Sequence, residues 1–89
     1  MDKVWIVTTK LEYGLDELIE GVFDSYELAH IAAENIWHRY DLNEDGYLWK
    51  RGEVSENDFC KMTIYYTHRK TFDEWFFATI KIEPYIVRH

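Results

Sequence analysis

Eighty-nine residues with 17 Asp and Glu against 10 Lys and Arg carry a formal net charge of −7 at neutral pH. That length sets one domain over residues 1–89, and an apolar content of 47% with 18% aromatics makes the chain globular rather than disordered. The charge argues against direct nucleic-acid binding, which needs Lys and Arg to displace counterions from phosphates, and no apolar run is long enough for a membrane-spanning helix.

The chain opens with Met1-Asp2-Lys3-Val4-Trp5, strand-like sequence without a basic leader, so a cytoplasmic location is expected. Residues 3–9, rich in β-branched and aromatic types, predict a first strand that ends near Glu12-Tyr13-Gly14. A second strand is expected through Leu18–Phe23. Asp24 and Ser25 then offer capping oxygens to a helix from Tyr26 to Tyr40, which contains no Gly or Pro. At 100° per residue its apolar face collects Leu28, Ala29, Ala32, Ala33, Ile36 and Tyr40, with Glu27, His30, Glu34, Asn35 and His38 opposite.

Beyond the helix, Gly46–Trp49 suggests a short strand and 50–58 a polar connection. Residues 59–68 alternate, with Cys60, Met62, Ile64 and Tyr66 on one side and Phe59, Lys61, Thr63, Tyr65 and Thr67 on the other. Residues 74–82 do likewise, setting Phe76, Ala78, Ile80 and Ile82 against Trp75, Phe77, Thr79 and Lys81, and 69–73 reads as a hairpin loop. The expected fold class is α+β: an antiparallel sheet with one main helix packed on one face, in the order strand, strand, helix, strand, strand (ββαββ).

The segment Ile19-Glu20-Gly21-Val22-Phe23-Asp24-Ser25, followed by an alanine-bearing helix, resembles a strand-to-helix module of small uncharacterised bacterial and phage proteins. The resemblance covers residues 3–40 and implies a fold rather than an activity. The loop after the helix resembles the start of a calcium-binding EF-hand. Asp41, Asn43 and Asp45 alternate, Gly46 follows, Tyr47 offers a carbonyl, and Glu53 stands one place beyond the usual bidentate glutamate, where Gly52 sits instead. Calcium is therefore the one ion this motif suggests, and no other cofactor is expected. The same residues also suit a glycine-ended turn out of a helix.

Other chemistry is limited by spacing. His30, Glu34 and His38 lie one helical turn apart, but ~1.5 Å of rise per residue puts the two histidines ~12 Å apart along the axis, too far to share an ion. Either His–Glu pair supplies two ligands and leaves the rest to come from elsewhere. Cys60 and His68 share a strand, ~27 Å apart, and form no dyad within it; a lone Cys60 reads as a small core residue. No phosphate-binding glycine loop or Gly-x-Ser-x-Gly elbow is present. Enzymatic activity is accordingly not expected.

One helix leaves one sheet face bare, and Tyr65, Trp75, Phe77 and Trp5 are the aromatics expected there, as a surface for a protein partner or for self-association; the alternatives are that the helix covers this face instead or that residues 41–58 fold over it, since alternation alone does not say which face is inside. Residues 1–60 hold 14 acidic against 5 basic side chains, a net −9, while residues 61–89 hold 3 against 5, a net +2. The expectation is an acidic binding protein of phage or mobile-element type that engages or inhibits a host macromolecule such as a nucleic-acid-binding protein. A calcium-binding domain and a homodimeric structural domain are the alternatives.

Overall fold

The computed structural model describes residues 2–12, 14, 16–41, 47–68, 70–71 and 73–87. Its elements are β1 (Asp2–Leu11), β2 (Leu18–Phe23), α1 (Tyr26–Asp41), β3 (Tyr47–Glu56), β4 (Phe59–His68) and β5 (Glu74–Val87). All five strands join one antiparallel sheet in the order β2-β1-β5-β4-β3. The expected α+β class and ββαββ order are thus corrected to a sheet-dominated ββαβββ fold, with about two-thirds of the described residues in strands.

The difference comes from the polar stretch after Trp49. Residues 47–56 form one ten-residue strand that pairs with β4 from Tyr47↔His68 to Glu56↔Phe59. An edge strand has a pairing neighbour on one side only, so polar residues on both of its faces keep access to water and the apolar alternation that marks inner strands is missing. Its hairpin closes through Asn57 and Asp58, with Asn57 at φ 50°, a left-handed conformation that asparagine tolerates better than most side chains.

The helix begins as its sequence predicts. Ser25 Oγ accepts a hydrogen bond from the Leu28 amide at 3.2 Å, satisfying one of the free donors of the first turn. Just before it, Phe23 folds its ring over Gly21: a Cβ at position 21 would lie 2.7 Å from a ring carbon. The Gly-Val-Phe step therefore has a packing reason, since Phe23 leans on the core from a strand whose glycine makes room.

The core is a layer between α1 and the sheet. Val7 of β1, Cys60, Met62 and Ile64 of β4, and Ala78, Ile80 and Ile82 of β5 meet Ala29, Ala33, Ile36 and Trp37 of α1. The helix is rotated from the expected orientation. Leu28 and Ile31 are 49% and 56% exposed, whereas Trp37 is only 9% exposed and His30 and Glu34 turn toward β3. Ala29 and Ala33 let the backbones approach, and burying the indole of Trp37 removes more apolar area from water than burying Leu28 would.

Two bulges decide which side chains share a face. Between β1 and β2 the register passes from Val7↔Gly21 to Thr8↔Ile19, leaving Glu20 extra; its carboxylate accepts a 2.8 Å hydrogen bond from Thr9. Between β4 and β5 it passes from Ile64↔Ala78 to Tyr65↔Phe76, leaving Phe77 extra. Residues N-terminal to Ala78 in β5 consequently exchange faces relative to strict alternation.

Candidate functional site

Helix α1 and edge strand β3 run side by side in opposite directions, and their repeats match. Four helical residues rise ~6 Å and two strand residues ~6.8 Å, so side chains at i, i+4 and i+8 meet alternate residues of the strand. Tyr26 faces Ser55, His30 faces Glu53 and Glu34 faces Arg51. The result is a polar seam along one margin of an otherwise apolar layer.

Its ends are anchored differently. At one, Arg51 donates to Glu34 at 2.7 Å and lies with its guanidinium carbon 5.5 Å from the centre of the Trp37 ring, combining an ion pair with a cation–π contact. At the other, the buried Cys60 thiol lies 3.6 Å from Glu53 Oε1 and 3.6 Å from Ser55 Oγ. Burial pushes the Cys60 thiol above its usual pKa, and burial together with the neighbouring Cys60 does the same to the Tyr26 phenol. Cys60 is thus held in its protonated, weakly nucleophilic form. His30 sits between two carboxylates, with Nε2 3.7 Å from an oxygen of Glu34 and 3.7 Å from one of Glu53.

The second feature lies farther along the same face. A 16-residue helix spans ~24 Å and a 14-residue strand such as β5 ~46 Å, so α1 covers only part of the sheet's length. Trp49, Tyr66 and Phe77 form an aromatic triad there, with ring centres 5.1 to 6.0 Å apart. Trp75 stands opposite Tyr66 in the register and is 52% exposed. The Phe77 carbonyl at the bulge accepts a 2.9 Å hydrogen bond from the Glu12 amide, which ties the end of β1 to the triad. Leu11, Glu12, Gly14, Tyr66 and Phe77 together line a groove of about 300 Å³.

The four aromatics expected on the bare face do not share it. Trp5 and Phe77 pack against the core on the helix side, and Trp75 follows Tyr66 to that same side. Only Tyr65 faces away, with Phe76 opposite it at 6.1 Å, although Phe76 was expected on the apolar side. The bulge at Phe77 accounts for all of these displacements from Phe76 back to Trp75. Of the calcium-loop residues, Asn43 and Asp45 lie outside the described residues, as do the side chains of Asp41 and Tyr47. Glu53 is described: it stands in the middle of β3 with its carboxylate turned to His30 and Cys60.

Sequence reasoning missed Trp49, Tyr66, Arg51, Tyr26 and Ser55 as site residues. The helical spacing of Tyr26, His30 and Glu34 carried part of the signal, but the matching alternation of Arg51, Glu53 and Ser55 gains meaning only once 47–56 is a strand. No known protein family, curated protein or solved structure matches the chain.

Proposed function

We propose that this is a non-enzymatic binding protein that engages a basic surface of another protein through the aromatic end of its helix-side face. The supporting observation is the groove lined by Leu11, Glu12, Tyr66 and Phe77, extended by the half-exposed Trp75. Aromatic faces attract Arg and Lys side chains through their quadrupoles, and exposed aromatics are the residue type that most often anchors protein interfaces. Glu12 in the groove wall and the exposed Asp73 two residues before Trp75 favour a cationic segment, in keeping with the net charge of −7. A protein that uses a basic groove to hold nucleic acid would present such a segment, so competition with nucleic acid for that groove is the biological role this reading suggests.

Trp75→Ser is the sharp variant, because Trp75 is exposed whereas Phe77 supports the core. Immobilised protein is expected to retain a basic partner from bacterial lysate, release it at raised salt, and lose it on Trp75→Ser with the melting temperature nearly unchanged. Equal retention by both proteins would sink the proposal. Light scattering on the same two samples covers self-association: a dimer that dissociates in the variant would assign the surface to a second copy of the chain.

A further inference from the structure

We propose that His30 Nε2, Glu53 Oε1 and Cys60 Sγ form a binding site for a divalent cation of the zinc class, at the seam between α1 and the β3–β4 hairpin. The three atoms lie within 4.8 Å of one another although they come from three different elements. The two separations that involve Glu53 are those of ligands around a common point. Metal–ligand distances of ~2.0–2.2 Å for N and O and ~2.3 Å for S, at tetrahedral angles, put ligand atoms ~3.4 Å apart for N and O and ~3.6 Å apart for S and O. The observed separations are 3.7 Å for His30–Glu53 and 3.6 Å for Cys60–Glu53. The first is longer than the ~2.7–3.2 Å of an N–H···O hydrogen bond but within ion-pair range, and in the second the Cys60 thiol donates to the Glu53 carboxylate, so the three groups are held together by contacts of their own.

The donor set selects the ion. One thiolate, one imidazole and one carboxylate suit zinc, whereas calcium and magnesium take oxygen ligands almost exclusively. Binding of the ion would displace the Cys60 proton to solvent, and the resulting thiolate with the Glu53 carboxylate would bring two negative charges to balance the two positive charges of the ion. Three protein ligands leave a fourth position for water, as in open zinc sites.

The surroundings support the same assignment. Glu34 places one oxygen 3.7 Å from the same His30 Nε2 while Arg51 holds the other at 2.7 Å, so a fixed carboxylate borders the site. Cys60 is sealed in the core, but the side chains of His30 and Glu53 are each 36% exposed, and a groove of about 410 Å³ opens along Tyr26, Glu27, His30 and Ile31. An ion therefore has a path to the site. The His–Glu spacing on the helix, which by itself provides two ligands at most, gains Glu53 and Cys60 only through the fold.

The test is a titration of chelator-stripped protein with Zn²⁺, repeated with Co²⁺ for its visible and near-ultraviolet spectrum. The wild type is expected to bind one ion per chain, to melt at a higher temperature with Zn²⁺ than with chelator, and to show a thiolate-to-cobalt charge-transfer band. Glu53→Gln and His30→Gln, at part-exposed positions, are expected to lose affinity by more than the ~10–100-fold that follows removal of an outer-sphere partner. Cys60→Ser should abolish the charge-transfer band, and His38→Gln and His68→Gln should leave binding unchanged. Absence of saturable one-to-one binding by the wild type would overturn the proposal. So would binding that survives Glu53→Gln and His30→Gln, since the ion would then sit on other carboxylates.

Discussion

Strands β4 and β3 lie side by side under the same helix, yet they present it with opposite chemistry. β4 offers Cys60, Met62 and Ile64, all fully buried, whereas β3 offers Arg51, Glu53 and Ser55, which pair with Glu34, His30 and Cys60. The contrast teaches what a sheet edge permits. A strand with neighbours on both sides and a helix above it has no water to hydrate a polar group, so an unpaired one costs several kcal/mol. An edge strand keeps water on its flank, and polar side chains there can pair with the helix while remaining partly hydrated.

Breaking the buried side should cost most. Met62→Ala is expected to lower unfolding free energy by ~2–5 kcal/mol, the usual range for truncating a sealed core side chain. Denaturant titration measures this, and a loss below ~1 kcal/mol would mean that the layer under α1 is no tighter than its margin. On the polar side, Arg51→Ala removes one ion pair and one cation–π contact at a part-exposed position and should cost only ~1 kcal/mol. Arg51→Met, which keeps part of the packing on Trp37, should recover some of that loss; no recovery would make the ion pair the dominant contact.

The smallest effect belongs to ion pairs on the sheet surface. Lys3 holds Asp58 below the usual carboxylate range, and Lys81 does the same to Glu17 at 2.8 Å. A carboxyl group whose pKa is depressed in the folded state stabilises fully above its unfolded value, ~3.9 for Asp, and this contribution disappears as pH falls through the lower folded value. Asp58→Asn should therefore flatten the decline in melting temperature between about pH 5 and about pH 2 slightly, with little change in shape above that range. A steeper acid decline in the variant would contradict the pairing.

Much of the fold is legible in short windows of sequence. Ser25 announces the start of α1, and the alternations Cys60-Met62-Ile64 and Ala78-Ile80-Ile82 announce the inner faces of β4 and β5. The candidate sites are less legible. Trp75 and Phe77 stand out by residue type, but the face they occupy follows from a bulge whose only record is the pairing of Tyr65 with Phe76. His30 and Glu34 stand out by spacing, but which way they point depends on the rotation of α1, and Trp37 tips that rotation toward β3.

By itself the sequence determined the local elements, the apolar centre of the sheet, the helix cap and the acidic charge, because each follows from propensities and periodicities within a few residues. Only the tertiary structure decided that 50–56 completes an edge strand, that a single extra residue turns Trp75 and Phe77 to the helix side, and that His30, Glu53 and Cys60 converge. Those outcomes depend on strand register and helix rotation, which are set by contacts between residues far apart in the chain and leave no periodic trace in any one segment.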